Sequence, residues 1–132
     1  MNIKFIVSGI EQMADSDDYA VDEKTILGEG VMSTVYAGTM GDKKIAVKRH
    51  ITVEGEGISQ SFLREVACLR ALAEAEESHV IRLLAVRYDG AKQEFAMEWA
   101  EMSLDVIARQ GKPADPVVAR MVAGQLLAAI EQ

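Results

Sequence analysis

The sequence predicts an α+β fold, and three observations carry that prediction. Thr25-Ile26-Leu27, Ser33-Thr34-Val35-Tyr36-Ala37 and Lys44-Ile45-Ala46-Val47-Lys48 are strand-like segments joined by glycine-containing turns, the pattern of an antiparallel meander. Phe62, Val66, Leu69 and Ala73 then recur at helical spacing. Residues 80–88 and 93–98 read as two more strands around Asp89-Gly90, a hairpin signal. With 132 residues the chain has room for one domain, and 49% hydrophobic with 27% charged residues excludes a disordered composition.

Residues 1–18 read as an irregular leader: Ile3, Phe5 and Val7 alternate only briefly, and Asp15-Ser16-Asp17-Asp18 is a solvated turn. The strand pattern starts at Tyr19, and Met40-Gly41-Asp42-Lys43 is a turn. After a loop containing Gly55 and Gly57, a helix is predicted over residues 61–74, capped by Ser59 or Ser61, with Glu74, Glu76 and Glu77 as its solvated end. Ser103 caps a short helix, residues 104–109, that stops at Gly111. Asp115-Pro116 opens the last helix with a cap and a first-turn proline. Its apolar stripe is Val118, Met121, Val122 and Leu126, and Gly124 within it reads as a packing point. No terminating signal precedes Gln132, so the chain is expected to be a fragment of a longer protein.

Fourteen Lys and Arg against 21 Asp and Glu leave a net charge of −7, which argues against broad nucleic-acid or anionic-membrane surfaces. No apolar run reaches the roughly 18–20 residues of a membrane helix, and the start lacks a signal-peptide core. The expectation is a soluble intracellular protein, cytoplasmic or nuclear. One cysteine, Cys68, excludes a disulfide framework, and buried packing is its default reading. His50 and His79 have no convergent ligand set, so no metal site is expected. The seven methionines read as core fillers apart from Met97, and Trp99 is assigned no chemistry.

Two features carry chemistry. Gly28-x-Gly30-x-x-Ser33-x-Val35 lacks side chains where phosphate oxygens could approach free backbone N–H groups, although glycines equally suit a plain turn. The loop runs into a strand, which excludes the helix-opening dinucleotide motif, and no Gly-Lys-Ser/Thr closes it as a Walker loop would require. Strand alternation puts Ala46 and Lys48 on one face and Ile45 and Val47 on the other. Glu65 shares a helix face with Phe62, Leu69 and Leu72, where a lone carboxylate costs several kcal/mol unless a cation meets it. Lys48 is the candidate cation; the alternative is a solvated Glu65 at the edge of the stripe. A lysine held this way beside a glycine loop can place its ammonium on ATP phosphates.

Taken in order, these segments resemble the N-terminal lobe of a eukaryotic-type protein kinase. Leu27-Gly28-Glu29-Gly30-Val31-Met32-Ser33-Thr34-Val35-Tyr36 resembles the glycine-rich loop, Ile45-Ala46-Val47-Lys48 the lysine strand, and Phe62-Leu63-Arg64-Glu65-Val66 the regulatory helix, with Lys48 and Glu65 seventeen residues apart. Ser78-His79-Val80-Ile81-Arg82-Leu83-Leu84, Phe95-Ala96-Met97-Glu98-Trp99-Ala100 and Gln125-Leu126-Leu127-Ala128-Ala129-Ile130 resemble later segments of the same domain. The resemblance implies an N-lobe over residues 19–101, a five-stranded antiparallel sheet with one packed regulatory helix, and the start of a C-lobe over 102–132. It also implies site roles. Backbone N–H groups from Glu29 through Gly30, Val31, Met32 and Ser33 to Thr34 cover the phosphates, with Leu27 and Gly28 at the loop's start. Lys48, oriented by Glu65, holds the α- and β-phosphates. Val35 and Ala46 roof the adenine, Met97 is the gatekeeper, the Glu98 carbonyl and Ala100 amide form the hinge, and Ser103 or Asp105 lies near the ribose. Ser33 stands where the family usually has its third glycine.

These 132 residues contain no His-Arg-Asp, Asp-Phe-Gly or Ala-Pro-Glu motif, so the catalytic Asp and the Mg²⁺ ligands are expected outside them. The implied activity, transfer of the ATP γ-phosphate to protein hydroxyls, belongs to the parent domain, with serine/threonine specificity by overall resemblance. Helix residues 62–72 and Gln125-Leu126-Leu127 look like the cyclin-dependent and related group. The implied partners are ATP, a protein substrate and a regulatory protein on helix residues 62–72. One alternative is a pseudokinase or truncated regulatory lobe that only binds. Another, a non-kinase nucleotide binder, requires a helix directly after Ser33.

Overall fold

A computed structural model describes residues 19–73, 79–89, 92–113 and 115–131. Strands β1 (Ala20–Glu29), β2 (Ser33–Met40) and β3 (Lys43–His50) are followed by helix α1 (Gln60–Ala73), strands β4 (Leu83–Tyr88) and β5 (Gln93–Glu98), and helices α2 (Leu104–Arg109) and α3 (Pro116–Ile130). The five strands form one antiparallel sheet in the order β1-β2-β3-β5-β4. The α+β class and the first three-strand meander agree with the sequence. The loop and helix α1 lead from β3 to β4 at the sheet edge, and the β4–β5 hairpin then returns β5 against β3.

Each face of the sheet carries its own core, because side chains alternate along the strands, with an irregularity in β4 between Leu83 and Ala85 that puts Leu84 and Ala85 against the same core. Ile45 and Val47 join Tyr19, Ala85 and Ala96 on one face, with Val21, Met40 and Leu84 packed alongside. On the other face Phe62 and Val66 of α1 pack on Leu83, Val86 and Phe95, with Ile58, Leu69 and Met97 at the margin. Gly38 marks a close approach of strands: a Cβ there would lie 2.6 Å from the Ala20 carbonyl oxygen. The β1–β2 register shifts between Asp22 and Ile26, where the Asp22 carboxylate accepts from Thr25 Oγ1 at 2.6 Å and Lys24 N at 3.1 Å. Such local side-chain bonds compete with ladder pairing.

Several expectations are corrected. Strand β4 begins at Leu83, three residues later than predicted, because Arg82 N is taken by Glu98 Oε1 at 2.8 Å. Helix α1 begins at Gln60, one residue early; Ser59 Oγ accepts from Phe62 N at 3.5 Å. Cys68 is exposed, not packed: it lies two residues beyond Val66, about 200° round the helix from the core face. Met32, Met102 and Met121 are exposed, so the methionines do not act uniformly as core fillers, and a Cβ on Gly124 would meet nothing within 4 Å, so it is no packing point. Among the described residues no side chain of α2 or α3 is buried. Their caps are as expected: Ser103 Oγ accepts from Val106 N at 3.3 Å and Asp115 Oδ1 from Val117 N at 2.8 Å. The predicted leader, the acidic run Glu74, Glu76 and Glu77, and Gly90 of the hairpin lie outside the described residues. Among the described residues no helix is long and apolar enough to cross a membrane.

Two polar side chains at 0% exposure hold the sheet together. Gln93 closes the loop before α1, accepting from Ser59 N at 2.8 Å and donating to the Gly57 carbonyl at 2.7 Å. Glu94 accepts from Arg49 Nε at 2.6 Å, Arg87 Nη1 at 2.8 Å and Tyr19 OH at 3.2 Å. The two guanidinium groups also lie over the Tyr36 and Tyr19 rings, at 5.0 and 4.1 Å. Burial, and next the neighbouring Glu94 carboxylate, push the Tyr19 hydroxyl well above its ordinary pKa. Removing one member of a buried ion network strands the rest, so Glu94→Ala is expected to cost about 3–5 kcal/mol. Urea unfolding monitored by circular dichroism checks this; an unchanged midpoint would contradict the role given to Glu94.

Candidate functional site

Register places the candidate residues in rows across the helix-bearing face. Gly28 lies opposite Val35, Val35 opposite Lys48, and Lys48 opposite Phe95, on four adjacent strands. The next row is Ala37, Ala46 and Met97. Helix α1 covers the Phe95 end of these rows. Lys48 therefore stands where the covered part of the face meets the part beneath the β1–β2 hairpin.

There the Lys48 ammonium lies 2.6 Å from Glu65 Oε1 of α1. The side chains are 24% and 34% exposed. Glu65 is thus on the rim of the apolar stripe and still meets the cation. A pair this open contributes only about 0–1 kcal/mol to stability. Its ammonium remains within reach of solvent and of an anion. The other Glu65 oxygen, Oε2, lies 3.1 Å from His50 Nε2, a contact the sequence reading missed. Strand alternation offered a signal for it, since His50 shares the face of Ala46 and Lys48.

The glycine hairpin joins strand to strand; no helix follows Ser33. Gly30 N donates to the Ser33 carbonyl at 2.8 Å. Neither Gly28 nor Gly30 has positive φ. An added Cβ would meet nothing within 4 Å at Gly28 and only Ser33 atoms, at 3.5 Å or more, at Gly30. The turn itself therefore does not demand glycine at either position. Leu27, Glu29, Val31 and Met32 are exposed along the hairpin, and Ser33, Thr34 and Val35 are half-buried. Ala46 is buried and Met97 half-buried, whereas Glu98 and Ala100 are exposed. Glu98 N donates to the Arg82 carbonyl at 3.0 Å. The Ser103 hydroxyl is occupied as the α2 cap. A separate cleft of about 390 Å³ lies between Met32, Ile51, Val53 and Gln93. It does not include Lys48 or Glu65.

No family model matches the chain. A G-type lectin S-receptor-like serine/threonine-protein kinase of Arabidopsis thaliana is 33% identical over 94 residues, which are 70% of this chain and 11% of that protein. A protein named a probable LRR receptor-like serine/threonine-protein kinase, from the same plant, is 31% identical over 98 residues, 73% of this chain and 16% of that protein. The chain thus carries a kinase-related region and spans a small part of the relatives it matches; they single out no kinase subgroup.

His50 titrates below its ordinary 6.5, mainly because burial disfavours the imidazolium, with Glu65 opposing and the Lys48 charge reinforcing that shift. Below pH 6.5 the unfolded chain takes up a proton at His50 while the folded chain does not. Stability should therefore fall as pH drops from 6.5 towards the depressed folded value. His50→Leu should flatten that part of the profile. Denaturant midpoints measured across the mildly acidic range check this; identical slopes would contradict it.

Proposed function

We propose that this chain is the ATP-binding portion of a protein kinase that transfers the γ-phosphate to serine or threonine hydroxyls. The observation that carries the reading is the Lys48–Glu65 pair at 2.6 Å, with Lys48 in one row with Gly28 and Val35 of a strand-to-strand glycine hairpin. The names of the two relatives support the serine/threonine class.

In this reading the Lys48 ammonium, a compact charge with three donors, binds the α- and β-phosphates, and Glu65 keeps it aimed. Hairpin N–H groups from Glu29 to Thr34 cover the phosphates, and the open space at Gly28 and Gly30 lets the backbone come close. Val35 and Ala46 lie over the adenine, Met97 closes the back, and Glu98 and Ala100 present backbone groups to the adenine edge. The outward residues of α1, Arg64 and Cys68 among them, form the face offered to a regulatory protein. Among the described residues no group of three or more His, Cys, Asp or Glu could hold a metal ion. These residues do not fit a Mg²⁺ site, and the reading assigns its ligands and the catalytic base elsewhere in the protein.

Lys48→Met in the full-length protein tests the proposal. Phosphotransfer should fall about a hundredfold or more, as when a preorganised charge-stabilising donor is lost. The unfolding midpoint should move by no more than about 1 kcal/mol in stability. Undiminished transfer in a radiolabelled-ATP assay would overturn the assignment.

A further inference from the structure

We propose that His50 is a positioning residue for the Lys48–Glu65 pair, its Nε2–H donating to Glu65 Oε2 and so holding the carboxylate by the oxygen that Lys48 leaves free. The consequence for nucleotide binding rests on the function proposed above; the clamp itself does not.

The geometry has three parts. First, the two Glu65 oxygens are divided: Oε1 lies 2.6 Å from Lys48 Nζ and Oε2 lies 3.1 Å from His50 Nε2. Second, the two holders differ in freedom. Lys48 is a long, flexible side chain, whereas the His50 side chain is only 4% exposed. The imidazole packs at 74° and 5.4 Å from the Phe62 ring and lies 6.1 Å from the Phe95 ring. It cannot follow Glu65 towards solvent. Third, the tautomer is determined by partners. Nδ1 is buried without a hydrogen-bond partner among the described residues, so a proton there would be stranded. The proton belongs on Nε2, facing an acceptor.

The charged groups facing the ring are Lys48 from β3 and Glu65 from α1. The residues opposite it in the sheet, Ser33 on β2 and Gln93 on β5, are neutral. A terminal carboxylate torsion is broad, so a single contact to a mobile ammonium leaves Glu65 loosely oriented. A second contact to a fixed ring removes that freedom. When phosphate oxygens draw on the Lys48 ammonium, His50 still keeps Glu65, and with it α1, in place.

The competing view is that His50 merely fills space between two phenylalanines, in which case an apolar side chain would serve equally. His50→Leu keeps the packing and removes the donor; His50→Gln keeps an N–H donor. Three readouts on the full-length protein near neutral pH separate the views: ring ¹⁵N shifts of His50, the Glu65 Cδ resonance, and the dissociation constant for ATP. The expected results are a neutral Nε2–H tautomer, a Glu65 signal displaced by His50→Leu, and ATP binding weakened about threefold to tenfold. His50→Gln should restore both the signal and the affinity to within about twofold. An Nδ1–H tautomer, or a Glu65 signal unmoved in folded His50→Leu, overturns the clamp. A moved signal with unchanged ATP affinity overturns the positioning role. If the wild-type protein binds no ATP, the nucleotide reading fails by itself, and the ring tautomer and Glu65 signal still decide the clamp. If His50→Leu does not fold, the wild-type tautomer and His50→Gln decide it, and a Glu65 signal displaced in His50→Gln overturns it.

Discussion

Lys48 and Arg49 are consecutive on β3, so their side chains must leave the sheet on opposite faces. Each meets a glutamate at 2.6 Å: Lys48 reaches Glu65 of α1, and Arg49 reaches Glu94 of β5. Strand alternation thus divides one short basic run between two separate electrostatic tasks. The face that receives α1 carries the candidate site. The opposite face carries a closed network that fastens β3, β4 and β5 to the Tyr19 segment.

The two carboxylates differ in how much water they keep, and this decides what each can do. Glu94 is fully buried, with three donors arranged around it. Its desolvation is balanced only while all three stay in register, which makes the arrangement a constraint on strand pairing more than a source of net stability. Glu65 keeps a third of its surface, and the pair it forms is worth little to the fold. A weak, half-open pair can exchange partners with an incoming anion at low cost. An ammonium locked inside a closed network could not.

The hairpin fits the same division. Its two glycines are demanded neither by positive φ nor by crowding. By contrast Gly38, where a Cβ would strike the Ala20 carbonyl, is required by the packing of β1 on β2. Glycine is therefore a structural necessity at one point of the sheet and leaves unfilled space at the other. Of the two hairpin glycines, Gly28 lies in the row that holds Val35 and Lys48.

Local periodicity made the main elements readable from the chain alone. Residue alternation assigned Lys48 and Val47 to opposite faces, and 3.6-residue spacing put Glu65 beside Phe62 and Leu69, because both periods are set by covalent backbone geometry. Caps and turns at Ser103, Asp115 and Gly41 were readable for the same reason, since their hydrogen bonds or dihedral demands are local. Partner identity was not. Gln93 and Glu94 read as ordinary polar strand residues, yet both are fully buried and on opposite faces, Gln93 bound to Ser59, 34 residues away in sequence, and Glu94 to Arg49 and Tyr19, 45 and 75 away, as well as to the nearby Arg87. His50 gained its contact to Glu65 only when α1 folded back over β4 and β5, bringing Glu65 to the end of β3. The placement of β5 between β3 and β4 likewise depended on how elements met. Chain geometry by itself determined which way each side chain points; which group waits there was decided by tertiary pairing, because that depends on segments distant in sequence coming to the same face.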